Sequence, residues 1–398
     1  MRQRGRLLLL TLLGAAGLLL AACGGGGDEP EPNAGPTPAP QDTTVVTPPG
    51  PGPSAPDTTE VVPPGPGEGD DSTATAFAKG ADISWCTQME AEGHRFYDWR
   101  SREPQECTAV MKSLGMNAIR LRVLVGPADG YCALEDVLEK ARRAAALGLD
   151  VMVDFHYSDT IARVAEQRVP SSWENHEHTL LLGDVRLHTE EVLEALMRDS
   201  IEVKWVQVGN ETDEGLLWPE GGASRHPDQY AALLKAGIEA ARAVYPDAEI
   251  LVHLGRSCDQ QRCKRHLDVL RQYGVGYDLI GLSLRPSELL NQSVTTASGQ
   301  TVTVRSEEEA IALAVENMAY LSGLYERPCM LVEVGLPVQY ETRGTLLMTN
   351  IMLAARQSGV CRGVFYWEPE SFDGWMGYGQ GAFLSNGHPT QILNAFEK

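Results

Sequence analysis

Between residues 77 and 398 the chain alternates eight times between a short apolar run and an amphipathic stretch, and few folds tolerate that rhythm. The apolar runs cover 80–85, 118–125, 149–155, 203–208, 250–254, 277–283, 330–333 and 363–367. Between them, Leu134, Val137, Leu138, Ala141 and Ala145 mark one helix face that ends near Gly148. Further helices are expected over 228–244 and 345–357, and Ser306 with Glu309 forms a capping box that opens one running to Gly323. Eight strand–helix units in one domain predict an α/β fold of the (β/α)8 TIM-barrel type rather than an open doubly wound sheet. No Gly-rich phosphate fingerprint follows any of the strands, which weakens a nucleotide-binding reading.

In a parallel barrel the C-terminal strand ends build the active site, and here those ends are polar. Arg120 and Arg122 lie two apart on strand two, so both face inward while Ile119, Leu121 and Val123 face the helices. Asp154 and His156 share the inward face of strand three, and Gln207 and Glu211 that of strand four. Glu333 closes strand seven and Trp367 closes strand eight. A solvated charge run would not fall at the ends of otherwise apolar strands. Strands four and seven face each other across the rim, so Glu211 and Glu333 are the pair of carboxyls that glycosidic cleavage with retention requires, about 5–5.5 Å apart. The inward arginines keep one of them ionised, and partial burial keeps the other protonated. Asn210 is placed to hydrogen-bond a sugar hydroxyl, and Trp173, Trp218 and Trp367 offer flat apolar faces to sugar rings.

The N-terminal part has a different character. Arg2, Arg4 and Arg6 precede an apolar run over 7–20, and Leu20-Ala21-Ala22-Cys23 follows. Such a pattern predicts a signal peptide over 1–22, too short to span a bilayer stably, and the cysteine after Leu-Ala-Ala resembles the lipobox of bacterial lipoproteins, which implies Cys23 as the lipidated first residue. Residues 23–75 are rich in Pro, Gly, Thr and acid and repeat loosely, with Asp42-Thr43-Thr44-Val45-Val46 echoed by Asp57-Thr58-Thr59-Glu60-Val61-Val62. A chain of this composition buries too little to offset its ordering entropy, so a disordered tether is expected before the barrel domain at 76–398. The expected location is the bacterial cell envelope, at the outer membrane or cell surface, with the lipid as the only membrane contact. A net charge of −21 argues against nucleic acid, anionic lipid and acidic polymers, and favours a neutral partner. Seven cysteines besides Cys23 leave at least one free thiol, and Cys258 and Cys263 are close enough for a local bridge. No spacing resembles a zinc site, and the two histidines of Asn175-His176-Glu177-His178 read as a polar loop.

Several strings are similar to the motifs of the family 53 glycoside hydrolases, the arabinogalactan endo-β-1,4-galactanases. They include Asn117-Ala118-Ile119-Arg120-Leu121-Arg122-Val123, Asp154-Phe155-His156-Tyr157-Ser158-Asp159, Trp205-Val206-Gln207-Val208-Gly209-Asn210-Glu211, Leu217-Trp218-Pro219-Glu220-Gly221 and Val364-Phe365-Tyr366-Trp367-Glu368-Pro369. The resemblance runs in order from Lys79 to the C-terminus. It implies a (β/α)8 fold and endo-cleavage of β-1,4-galactan, the arabinogalactan type I side chains of pectin, by double displacement. By motif, the acid/base falls on Glu211 and the nucleophile on Glu333. Arg120, Arg122, Asp154, His156, Trp173, Asn210, Trp218, His253 and Trp367 are then the expected substrate-binding residues. No cofactor is expected, and a monomer is.

Three rim segments depart from the family pattern. Leu284-Arg285-Pro286 stands where the family has Tyr-Tyr-Pro, Gly255-Arg256-Ser257 where it has Asp-Asn-Gly, and Val334-Gly335-Leu336-Pro337 where it has Thr-Ala-Tyr-Pro. Two alternatives follow from them: a retaining glycosidase of altered sugar specificity, or a surface glycan-binding lipoprotein without turnover. The family's bacterial members often hold calcium near strands seven and eight. Residues 338–343 offer only Glu341 as an anionic donor, so no metal is expected there.

Overall fold

The computed structural model describes residues 76–397. The expected signal peptide, Cys23 and the tether lie outside the described residues. Eight parallel strands close into a barrel: β1 (Ala78–Asp82), β2 (Ala118–Val123), β3 (Asp150–Phe155), β4 (Val203–Val208), β5 (Glu249–Leu254), β6 (Leu279–Leu284), β7 (Cys329–Val334) and β8 (Cys361–Trp367). Each pairs with its sequence neighbours, and β1 closes the ring against β8. The TIM barrel read from the alternation is therefore the fold of this chain.

Two apolar layers hold it together. Inside the barrel, each strand sends at least one side chain to a plug formed by Ala78, Ala118, Met152, Trp205, Leu251, Leu279, Met330, Val332 and Phe365. The Phe365 ring crosses so close to β1 that a Cβ at Gly80 would lie 2.1 Å from it, so the small residue there makes room for the large one opposite. Outside, alternate strand residues such as Ile119, Leu121 and Val206 pack against the surrounding helices. The apolar plug fills the N-terminal part of the barrel and leaves the C-terminal mouth to polar side chains.

The alternation located the strands better than the helices. The first strand spans 78–82 rather than 80–85, and Ser84–Trp85 already belong to the turn that follows. The helix His178–Arg198 escaped notice because exposed Leu180 and Leu187 blur its apolar face. A two-stranded antiparallel hairpin, Ser293–Thr295 with Thr301–Thr303, interrupts the passage from β6 to the next helix. The capping box forms in altered shape: Ser306 Oγ accepts from Glu309 N, while Glu309 accepts from Arg305 N. All seven cysteines among the described residues are buried and unpaired. The local Cys258–Cys263 bridge does not form, since Cys258 Sγ turns to the Ala310 carbonyl and Cys263 Sγ to that of Arg256.

Candidate active site

The barrel mouth is organised around one buried cation. Arg120 reaches up from β2, and its guanidinium contacts Asp82 at 2.5 Å, Asp154 at 2.8 Å and Glu333 at 3.0 Å, all fully or nearly fully buried. It also donates to Gln207 Oε1 and to Asn210 Oδ1. Burial alone would raise the Glu333 carboxyl, but Arg120 and then Arg285 outweigh it and hold the group well below the usual carboxylate range. Asp154 is lowered in the same way, against its own burial, by Arg120 and His156.

Glu333 owes its place to an irregularity. Along β6 and β7, Gly281 pairs with Met330 and Leu282 with Leu331, yet Ser283 pairs with Glu333. The extra residue, Val332, makes a β-bulge. Met330 and Val332 both enter the barrel plug, so strict alternation would have sent Glu333 out toward the helices. The bulge brings it back to the mouth.

Glu211 lies just past the end of β4, with φ +45° and ψ +52°. A non-glycine residue in the left-handed region is held there by its surroundings at a cost of order 1 kcal/mol. Three donors converge on its carboxyl: Ser283 Oγ at 2.9 Å, Val164 N at 3.3 Å and Arg285 Nη1 at 3.2 Å. His253 stands behind Ser283, Nε2 to Oγ 2.9 Å; burial pushes its imidazole down to about 4, so it is neutral near pH 7. Asp213, two residues on, is pushed up to about 7 by burial, with the Gly255 N–H pulling the other way and the Glu211 charge adding to the rise.

One residue links the two glutamates. Arg285, just past β6, donates through Nη1 to Glu211 and through Nη2 to Glu333, with its guanidinium 5.1 Å from the Trp367 ring centre. The sequence flagged Arg285 as a departure from the family, but nothing in it showed that the side chain would bridge both carboxyls. Ser283 was also missed, legible only as an inward position near a strand end, and Asp82 stood only in the short Gly80-Ala81-Asp82 string with no role given to it.

The remaining expected residues divide. His156, held to Asp154 at 2.8 Å, and His253 join the network, as does Asn210, whose Oδ1 meets Arg120, Gln207 and His253 while Nδ2 donates to Ala162 O. Trp367 lies at the mouth, its ring 5.3 Å from Trp85 and 4.7 Å from Tyr378. Arg122 pairs with Glu368 at 2.9 Å and lines a second cavity with Trp85, Asp129 and Tyr131. Trp173 does not join the site: its ring is buried against His188 in the layer between strands and helices. Trp218 is half-buried and lines a separate hollow with Pro219 and Arg225, its indole N–H spent on the Glu214 carbonyl. Both rings were read as sugar platforms because a sequence shows that a tryptophan follows a strand, not which way its loop turns it. Residues 338–343 hold Glu341 as their single carboxylate, and it accepts from Gln391 N, a donor set that does not suit calcium.

Comparison with known proteins finds a family for this barrel. The sequence profile of Glycosyl hydrolase family 53 matches residues 78–396. A probable arabinogalactan endo-β-1,4-galactanase A of Aspergillus terreus is 30% identical over 310 residues, covering 75% of this chain and 87% of its own. The catalytic domain of a GH53 protein of Ignisphaera aggregans superposes with a TM-score of 0.70 at 24% identity, over 82% of this chain and 97% of that one. One of two fungal β-1,4-galactanases gives the same TM-score and identity over 81% of this chain and all of its own.

Proposed function

The chain belongs to glycosyl hydrolase family 53, and on that premise we propose that it is an arabinogalactan endo-β-1,4-galactanase that cleaves with retention. The observation that carries the mechanism is the pair Glu211 and Glu333, one guanidinium apart, with only Glu333 also bound to Arg120. Carboxyls spanned by a single planar cation fit the close spacing of a double-displacement pair, about 5–5.5 Å, better than the about 6.5–9.5 Å that leaves room for a water.

Glu333, kept ionised, attacks the anomeric carbon. Glu211 gives its proton to the departing oxygen, so the C–O bond breaks as the glycosyl ester forms. Glu211 then takes a proton from water, whose oxygen attacks the same carbon and frees Glu333. Trp367 supplies the apolar face beneath the reacting sugar, and Asn210 supplies a polar contact beside it through the amide hydrogen that Ala162 O does not take. No bound cofactor enters these steps. The substrate is β-1,4-galactan of the pectin side chains, taken by a monomer that Cys23 anchors to the bacterial envelope.

Proton NMR of galactan hydrolysis tests the reading. It expects new reducing ends that appear first as the β-anomer. First appearance of the α-anomer overturns the mechanism, and no reducing ends from galactan overturn the activity.

A further inference from the structure

The cavity that touches Glu211 is lined by Arg163 and Val164 from the loop after β3, Gly255 and Arg256 after β5, and Arg285 after β6. It encloses about 380 Å3. A general acid faces the oxygen that it protonates. The cavity touching Glu211 is therefore the side that holds the leaving sugars, and a neighbouring cavity lined by Arg122 and Trp85 shares Arg163 with it.

This leaving side is basic in a chain of net charge −21. Arg163 and Arg256 are exposed, and neither guanidinium has an ion-pair partner among the described residues. Glu288 is the one carboxylate besides Glu211 that lines the cavity, and it already accepts from Gln380 Nε2. Arg285 is paired with both glutamates, but the Arg163 and Arg256 guanidiniums face the same hollow unpaired, and neither is needed to bind a neutral hydroxymethyl group. Arg285 adds a second argument. Two carboxyls that flank a scissile bond have the bond between them, and the Arg285 guanidinium hydrogen-bonds both. It must move aside for the reaction. An anion in the adjacent cavity gives it a new partner while Arg120 stays with Glu333.

We propose that the subsite on the leaving side of Glu211 takes a sugar bearing an anionic group, a carboxylate or a sulfate ester, which pairs with Arg163, Arg256 and Arg285. The inference rests on the assignment of Glu211 as the acid. It limits the exclusion of acidic polymers drawn from the whole-chain charge, because fields are local once salt screens beyond about 8–10 Å.

The test compares three β-1,4-galacto-oligosaccharides that differ only at C6 of the sugar on the leaving side: hydroxymethyl, carboxylate or sulfate ester. With the full chain at low salt, kcat/KM for at least one anionic substrate exceeds the neutral one by about tenfold, mainly through KM. The ratio falls toward one as salt is raised and in the double variant Arg163→Gln/Arg256→Gln. Which anion gives the larger ratio distinguishes a uronic acid from a sulfated sugar. A ratio of one or below at low salt, or one that the double variant leaves intact, overturns the proposal. Calorimetric binding of the same three oligosaccharides reads the anion preference independently of turnover. Selective binding without cleavage therefore counts against the glycosidase reading alone.

Discussion

Arg120 Nη2 lies 3.0 Å from Glu333 Oε1, although the two residues are 213 positions apart in sequence. The same guanidinium also pairs with Asp82 and Asp154, so three buried carboxylates share one cation. Removing one partner of a buried ion network is far more costly than never having built it, because the others stay desolvated.

Arg120→Met is therefore expected to cost about 3–5 kcal/mol of stability at pH 7. Arg120→Lys restores the charge but not the fork that reaches Gln207 and Asn210 together, and should recover only part of the loss. Urea unfolding of the three proteins measures this. A loss below about 1 kcal/mol for Arg120→Met, the level of an ordinary surface pair, would contradict the role given to this residue.

The two glutamates should separate by leaving group. Glu211→Gln is expected to lower kcat/KM on galactan by about 10²–10⁴-fold, the usual worth of a general acid. On a dinitrophenyl galactobioside, whose leaving group needs no proton, the glycosylation step should suffer far less. Glu333→Gln should lose turnover on both. Equal losses for Glu211→Gln on the two substrates would remove the acid role from that residue.

Gly255 packs directly against the acid. A Cβ there would lie 2.9 Å from Glu211 Cδ and 2.5 Å from Val164 Cγ2, so Gly255→Ala must displace one of them. Misplacing a reacting group by about 1 Å can cost about 10²-fold in rate. The expected signature is a fall in kcat with KM nearly unchanged and a melting temperature within a few degrees of the parent. A change confined to KM would place the glycine's effect in sugar binding instead.

Asp213 should make stability fall with pH. Burial pushes its carboxyl up to about 7, from an ordinary value of 3.8. A group raised in this way contributes stability that is fully present below the unfolded value and is lost as pH rises through the folded one. Asp213→Asn removes the charge that must otherwise be buried at high pH. Its melting temperature should exceed the parent's by about 2–4 °C at pH 8, with the gap shrinking toward pH 5. A gap that is constant between pH 5 and 8 would show that Asp213 does not titrate in this range.

Much of the fold was legible because its signals are local. Apolar runs with period two on β2 put Arg120 and Arg122 on one face, and that face is buried in the mouth as expected. Gln207 and Asp154 follow from the same parity and are joined, Nε2 to Oδ1, at 2.6 Å. Trp173 and Trp218 show where the reasoning fails. Loop residues obey no period, so their rings could be placed only by the packing of His188 and the course of the chain around Glu214.

By itself, the sequence determined an eightfold parallel barrel with a polar mouth, and the two glutamates that belong there. The tertiary structure decided how Glu333 reaches that mouth, because the bulge at Val332 is set by pairing with β6, a strand some fifty residues away. It also decided that Arg285 would span both carboxyls. Periodicity reports which face a side chain takes while the ladder stays regular. It cannot report a break in the ladder, or two loop ends meeting across a barrel, since both depend on contacts between residues distant in the chain.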